Sequence, residues 1–273
     1  MNALTGALLT MAILGLIFSL FLVLAYKKLK VEEDPRIHEI VEILPGANCG
    51  GCGYPGCSAY AEAVVRGEAP PNLCAPGGQE VAEAISKLLG LEIATMEKKV
   101  AKLMCRGSIE NAVRRAEYTG IETCRVADAT LKGDKACVYG CLGFGDCVRS
   151  CPFDAMYMGE EGLPHIIEEK CTGCGICVET CPRDILELVP IERKVFVFCK
   201  NIERGAVARK YCKVACIACG LCVKAAPEGT MKMENNLAVI IDWKSVDEHA
   251  EEIIAKCPTK AIKLDEKFAE VEV

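Results

Sequence analysis

The sequence predicts an α+β protein that has a single N-terminal transmembrane helix followed by small, cysteine-rich domains. Three observations predict this class: residues 1–26 carry no charge, 20 of the 273 residues are cysteine, and one cysteine motif recurs along the second half of the chain. Such a cysteine content is usual only in much shorter secreted domains. The 51% hydrophobic content excludes a disordered chain, and the net charge of −6 argues against general nucleic-acid binding.

The uncharged segment predicts a membrane anchor over residues 1–30. Residues 4–24 are nearly all apolar, which is long enough for a helix to cross a bilayer. Lys27, Lys28 and Lys30 follow this segment, whereas a signal peptide would carry its positive charges before it; a signal peptide and a buried core helix remain the alternatives. The positive-inside rule then puts the rest of the chain on the cytoplasmic side of the inner membrane, where thiols stay reduced.

The recurring motif is the most informative feature of the second half. Three cysteines spaced by two residues, followed by Cys-Pro, are typical of bacterial ferredoxins, in which the loop binds one [4Fe–4S] cluster and the cysteine before proline binds the other. The copies start at Cys137, Cys171 and Cys216, and a remnant remains at Cys257-Pro258. A short strand is expected after each copy, over residues 155–158, 185–189, 231–233 and 261–264.

The binding of one cluster by cysteines from two motif copies, which we call cross-ligation, predicts how the first two copies share their cysteines. One set is Cys151, Cys171, Cys174 and Cys177, and its partner set is Cys137, Cys141, Cys147 and Cys181. The spacing in the Cys137 loop departs from the motif, so the second set follows it less closely.

The third copy predicts one complete cluster and one that has been lost. Cys216, Cys219, Cys222 and Cys257 form the complete set, whereas Ala226 stands where the partner cluster needs a ligand. Residues 242–252, where the three companion cysteines would lie, contain none. All four ligands of the partner cluster are therefore missing together, as expected if the whole cluster was lost.

Two further sets follow from the remaining cysteines. Cys49, Cys52, Cys57 and Cys74 surround a glycine-rich loop that can fold closely around a cluster. Subtraction leaves four others, which we expect to bind a fifth cluster unless they are unmetallated, buried cysteines. These are Cys105, Cys124, Cys199 and Cys212.

These motifs define five segments. The anchor (1–30) is followed by a small, mostly helical iron–sulfur domain (31–96) and a connecting segment that carries two cysteine ligands (97–136). A two-cluster ferredoxin-like domain (137–192) and a second, degenerate one (193–273) complete the chain. In the helical domain Asp34-Pro35 is a helix start, and further helices are expected over 58–66 and 79–89.

Other chemistries fit the sequence less well. Zinc is the main alternative metal, but structural zinc sites usually combine two separated cysteine pairs. His38, His165 and His249 are isolated, and no glycine-rich dinucleotide motif is present. One-electron transfer is therefore the expected chemistry, with no catalytic residues.

Residues 193–213 form a basic stretch in an acidic chain. It contains Glu203 as its one acidic residue, against seven basic residues: Arg193, Lys194, Lys200, Arg204, Arg209, Lys210 and Lys213. We expect it either to help dock an acidic electron carrier or to be an ordinary solvated face.

The pattern resembles a known family, the B subunits of Rnf complexes, which are membrane-bound, ion-translocating ferredoxin:NAD oxidoreductases. The similarity covers essentially the whole chain and rests on the anchor, residues 48–57 with Cys74, Cys105-Arg106-Gly107, and residues 139–153. Residues 49–74 also look like the iron–sulfur domain of corrinoid iron–sulfur proteins. The departure is the C-terminal repeat around Ala226.

The resemblance implies that the chain accepts electrons from soluble ferredoxin and relays them to membrane and NADH-binding subunits. Those subunits reduce NAD⁺ while Na⁺ or H⁺ crosses the membrane, so this chain has no complete active site of its own. Two other interpretations stay open: a polyferredoxin subunit of a membrane hydrogenase or formate dehydrogenase, and a structural module held together by its metal sites.

Overall fold

The N-terminal segment forms a long helix, α1 (Ala3–Leu29), with apolar side chains on every face. In a computed structural model, residues 3–29, 34–93 and 95–265 are described. Predictions that concern residues 1, 2, 30–33, 94 and 266–273, including Lys30, lie outside this range. Gly6–Lys28 is long and apolar enough to span a bilayer, and Leu16 and Phe21 are 70% and 65% exposed. An apolar surface of this kind suits lipid better than water.

Three helices form the small domain that follows: α2 (Pro35–Ile43), α3 (Cys57–Val65) and α4 (Gly78–Leu89). Asp34 caps α2 by accepting a hydrogen bond from the Arg36 N–H over 3.0 Å, as the Asp-Pro start predicts. The core contains Ile40, Tyr60 and Ile85, all 1% exposed or less. The Tyr60 hydroxyl donates to the Pro70 carbonyl over 2.9 Å and accepts from the Leu73 N–H over 3.1 Å, so it holds the loop that carries Cys74.

The next unit has the β-α-β-β-α-β order of a ferredoxin. It begins with β1 (Lys99–Leu103), and helix α5 (Cys124–Leu131) lies in the long connection after β1. The unit continues through α6 (Asp146–Arg149), β2 (Met156–Met158), β3 (Pro164–Ile166), α7 (Ile176–Thr180) and β4 (Leu186–Pro190). β1 pairs antiparallel with β4, and β2 pairs with β3.

β1 lies in the segment that the sequence assigned to a connection. Its pairing register runs from Lys99 opposite Pro190 to Leu103 opposite Leu186. The unit therefore starts near residue 99, not at residue 137, because its first strand precedes its first cysteine loop.

The last unit repeats this order. It contains β5 (Val195–Val197), α8 (Gly205–Tyr211), α9 (Leu221–Ala225), β6 (Met231–Glu234), β7 (Leu237–Ile240), α10 (Trp243–Glu248), α11 (Ala250–Ala255) and β8 (Ile262–Leu264). β5 pairs with β8 and β6 with β7. Helices α10 and α11 stand where the second cysteine loop is missing, and their Val246 and Ile253 are fully buried in the core. Apolar side chains thus fill this half of the unit.

The two ferredoxin-like units are joined through the connecting segment. The Val113 N–H donates to the Tyr211 carbonyl, and the Lys213 N–H donates to the Asn111 carbonyl, both over 2.9 Å. Lys102 of β1 also pairs with Glu168 of the first unit and, over 2.6 Å, with Asp265 just after β8. These contacts fix the position of one unit against the other.

Candidate metal centres

The structure places the twenty cysteines in five groups of four, which we call sites I to V. Site I lies in the helical domain, where Gly50 and Gly53 adopt φ angles of +75° and +85° in the loop before α3. The Asn48 Oδ1 atom accepts the Cys57 N–H over 2.9 Å and ties the loop to the start of α3. Burial raises the pKa of Cys74, and the three neighbouring thiols add to this rise. Site I comprises Cys49, Cys52, Cys57 and Cys74.

Site II contains Cys151, the cysteine before proline in the first motif copy, and three cysteines of the second copy. This is the grouping that cross-ligation predicts. The Ala101 N–H of β1 donates to the Cys171 Sγ atom over 3.4 Å, and burial is the main cause that raises the pKa of Cys177 to about 12. One pocket is lined by all four members of site II: Cys151, Cys171, Cys174 and Cys177.

Site III differs from the predicted set in one member. The pocket that holds Cys141, Cys147 and Cys181 is completed by Cys124, not by Cys137. Burial raises the pKa of Cys147 to about 12, and the thiols of Cys124 and Cys181 contribute.

Two contacts explain why Cys124 replaces Cys137 at site III. The Arg125 N–H donates to the Asp146 Oδ2 atom over 3.1 Å, which brings the start of α5 to the cysteine loop. The Arg183 guanidinium binds Asp128 of α5 over 2.6 Å and the carbonyl of Cys137 over 3.3 Å. Arg183 therefore holds Cys137 by its backbone, and the Cys137 side chain belongs to the next site.

Site IV collects Cys137 with three of the four cysteines left by subtraction, and it joins the two ferredoxin-like units. The Cys105 Sγ atom accepts the N–H groups of Gly107 over 3.3 Å and Cys141 over 3.4 Å. The Cys137 Sγ atom accepts from the buried Asn201 amide over 3.4 Å. One pocket is lined by the four members of site IV: Cys105, Cys137, Cys199 and Cys212.

Site V lies in the last unit. Burial raises the pKa of Cys222 to about 11, with contributions from the other three thiols of the site. Cys219 is the one exposed cysteine of the twenty, all of which are within the described residues. Ala226 ends α9 and packs against the apolar core. Site V comprises Cys216, Cys219, Cys222 and Cys257.

The donor sets fit [4Fe–4S] clusters better than single ions. Among the described residues, no three or more cysteine, histidine or acidic side chains are arranged to hold one metal ion. A structural zinc requires four donors around a single ion, whereas a cube spreads its four thiolates over four irons. Backbone N–H groups also point at the sulfurs of Cys171 and Cys105, as cluster ligands require.

The five sites follow one another in a single order. Cys49 of site I adds to the rise in pKa that burial causes at Cys174 of site II. Cys147 of site III likewise adds to the rise in the pKa of Cys177 of site II. The Cys141 N–H of site III reaches Cys105 of site IV, and the Cys199 Sγ atom of site IV accepts a backbone hydrogen bond from Cys216 of site V.

The histidines lie outside these five sites. His38 faces Glu42 over 3.4 Å at an exposed helix surface, and His165 pairs with Glu161. The His249 ring nitrogen lies 2.9 Å from the Ser245 carbonyl. Each histidine has a local structural contact.

The basic stretch is divided between internal contacts and solvent. Arg193 stacks over the Phe196 ring at 4.6 Å, and Lys200 pairs with Glu187. Lys194, just before β5, is exposed. The other exposed members lie on or next to α8, beside sites IV and V: Arg204, Arg209, Lys210 and Lys213.

The fold and the cysteine sites define an iron–sulfur electron-transfer protein of the ferredoxin class that carries an N-terminal membrane helix. Three family descriptions match the chain: "Putative Fe-S cluster" over residues 44–76, "4Fe-4S binding domain" over 164–187, and "4Fe-4S single cluster domain of Ferredoxin I" over 213–264. The last match spans all four cysteines of site V, the unit in which the sequence predicts one cluster.

Curated relatives identify the family. The chain is 48% identical to the B subunit of the proton-translocating ferredoxin:NAD(+) oxidoreductase complex of Clostridium ljungdahlii, over 96% of this chain and 93% of that protein. It is 44% identical to the B subunit of the Na(+)-translocating complex of Acetobacterium woodii, over 98% and 80%, respectively. It is 40% identical to the B subunit of the ion-translocating oxidoreductase complex of Methanosarcina acetivorans, over 96% and 99%. The chain belongs to this family, the B subunits of Rnf complexes.

Proposed function

We propose that this chain relays single electrons through five [4Fe–4S] clusters, one at each of sites I to V. The electrons come from reduced soluble ferredoxin and pass to the other subunits of the complex. The observation that carries the proposal is the unbroken order of the sites, in which each neighbouring pair is linked by a ligand contact or by close thiols. When bound, each cluster supplies a reversible one-electron couple.

The balance of the reaction separates this chain from the site of NAD⁺ reduction. Oxidation of a ferredoxin cluster yields one electron, whereas forming NADH takes two electrons and one proton. The five sites offer a path for single electrons, which accounts for the first of these steps but not for the second. Hydride formation and the transport of Na⁺ or H⁺ therefore belong to partner subunits, and the chain is one part of an oxidoreductase without a complete active site of its own.

The side chains around the sites exclude water and stabilise the sulfurs. Cys105, Cys141 and Cys147 are all less than 10% exposed, so these sulfurs are shielded from solvent. Backbone N–H groups supply hydrogen bonds to sulfur, as at Cys171 and Cys105. Burial with such donors is what tunes cluster potentials in proteins.

Electrons enter at site V in this proposal. Cys219 is exposed, and five exposed cations lie on α8, on α9 and beside them. We call these cations the basic face: Arg204, Arg209, Lys210, Lys213 and Lys224. An acidic carrier would be attracted to this face and would bring its cluster next to Cys219. The electron then passes along the sites to site I, in the domain that follows the membrane helix.

The ends of α1 support a proposed orientation in the membrane. Lys27 and Lys28 lie exposed in its last turn, whereas its first turn carries no charge. The positive-inside rule then places sites I to V on the cytoplasmic side of the inner membrane, with α1 as a single-pass anchor. This is the side on which soluble ferredoxin and NAD⁺ are found.

Two measurements on anaerobically purified protein test the proposal. Five clusters predict about 20 iron and 20 acid-labile sulfide per chain, whereas about 16 of each would remove one site. Stopped-flow mixing with reduced ferredoxin should bleach the cluster absorbance on the timescale of turnover of the complex. Full iron content without such bleaching would leave a structural module and exclude the relay.

A further inference from the structure

Lys135 is a buried cation that lies among the cysteine sites but is not one of their ligands. Its side chain is 4% exposed, and its Nζ atom donates to the Gly107 carbonyl over 2.7 Å. No ion pair within the described part of the chain joins Lys135 to a carboxylate. A buried ammonium that lacks an anionic partner is costly, so such groups usually lie beside a negative charge.

The backbone around Lys135 aims its side chain inward. The Arg115 N–H donates to the Asp134 carbonyl and the Ala136 N–H donates to the Val113 carbonyl, both over 2.8 Å. This antiparallel bridge sends neighbouring side chains to opposite sides. Asp134 pairs with Arg114 over 3.2 Å, and Lys135 lines the pocket of site IV.

The Lys135 ammonium lies at site IV, where it lines the pocket together with Cys105, Cys137 and Cys212. Its hydrogen-bond partner Gly107 in turn donates its N–H to the Cys105 Sγ atom over 3.3 Å. The thiolates of a cluster held by Cys105, Cys137, Cys199 and Cys212 would supply the negative partner that Lys135 lacks. Four thiolates around a cube leave a net negative charge, and this charge grows when the cluster is reduced.

We propose that Lys135 raises the reduction potential of the cluster at site IV by neutralising charge where electrons cross between the two ferredoxin-like units. The inference rests on the proposed function, because it takes site IV to hold a cluster. A buried cation stabilises the reduced form more than the oxidised form, and burial protects this effect from screening by salt.

The test is a redox titration of the full-length protein monitored by EPR. Lys135→Gln removes the charge but keeps a donor for the Gly107 carbonyl, so it separates charge from hydrogen bonding. We expect one midpoint potential to fall while the iron content stays at the wild-type value. Lys170→Gln is the matched control, because Lys170 is exposed beside Cys171 and its removal should leave every potential unchanged.

A variant that retains the charge covers the case in which Lys135→Gln loses metal. If Lys135→Gln loses about four iron per chain, Lys135→Arg should restore both the iron and the wild-type potential. Loss of iron in both variants would show that packing matters and not charge, and would overturn the inference. Wild-type potentials in a fully loaded Lys135→Gln would overturn it too. Neither result depends on ferredoxin, so failure of the relay itself is detected separately by the stopped-flow measurement.

Discussion

The backbone N–H of Cys141 donates a hydrogen bond to the Sγ atom of Cys105 over 3.4 Å. Cys141 belongs to site III and Cys105 to site IV, so a peptide group of site III stabilises negative charge on a sulfur of site IV. The same arrangement occurs between Cys216 and Cys199 at the next junction. These junctions make the five sites a single continuous path.

The first prediction concerns the placement of Cys124 at site III and Cys137 at site IV, which is the reverse of the grouping predicted from motif spacing. Cys212→Ser should lose about four iron per chain by removing the cluster at site IV. Adding Cys137→Ser should cause no further loss because both residues serve that site, whereas adding Cys124→Ser should remove about four more. Iron analysis with EPR decides this, and the reverse pattern would restore the grouping expected from motif spacing.

Gly51 gives a prediction about the junction of sites I and II. Its φ angle is not in the left-handed region, so the turn itself does not require glycine, but a Cβ atom there would lie 2.2 Å from the Cys174 carbonyl oxygen. Gly51→Val should therefore separate the two loops and slow reduction of the site I cluster without loss of iron. Freeze-quench EPR measures this rate.

The control for Gly51 is Ser58→Val, which places the same side chain at an exposed position at the start of α3. It should leave the rate unchanged. An unaltered rate in a fully loaded Gly51→Val would mean that the close contact does not control transfer.

The basic face predicts a dependence on salt. Reversing Arg204 and Arg209 to Glu should lower the second-order rate constant of reduction by ferredoxin by about tenfold at low ionic strength, and much less at high salt. Arg66→Glu, on the helical domain, is the control for a change in net charge. An unchanged rate constant and salt slope in the double variant would make α8 an ordinary solvated surface.

Tyr60 predicts a structural weakness at Cys74. Tyr60→Phe leaves the Pro70 carbonyl and the Leu73 N–H without their buried partner, which should cost about 1–3 kcal/mol in the free energy of unfolding. Thermal bleaching of the cluster absorbance should then begin at a lower temperature, and EPR should show that site I is lost first. Tyr54→Phe keeps both hydrogen bonds and should behave as the wild type; simultaneous loss of all sites in Tyr60→Phe would contradict this role.

Local signals in the sequence were strong where chemistry acts over a few residues. Asp34-Pro35 fixes the start of α2, and the Cys-Pro spacing brings Cys151 to the second cysteine loop. The exchange of Cys124 and Cys137 was not predictable from spacing, because it depends on Arg183 reaching both Asp128 and the Cys137 carbonyl. The irregular spacing of the Cys137 loop was the one available signal.

Long-range pairing was the other feature that the sequence did not predict. β1 lies more than 80 residues before β4, and its short KVAKL segment carries no cysteine that would mark it as part of the unit. The order of the sites likewise follows from how the units pack through Lys102 and the residues 111–113 connection. Neither is encoded in a motif.

In the proposed relay, electrons pass through site IV on their way from site V to site I. The most direct measurement is stopped-flow reduction of Cys212→Ser by an excess of reduced ferredoxin, compared with the wild type, because each cluster takes up one electron. The relay predicts that the wild type bleaches at all five sites, whereas the variant bleaches rapidly by only about one fifth, from the cluster at site V. Rapid bleaching of the remaining clusters in the variant at the wild-type rate would contradict the relay.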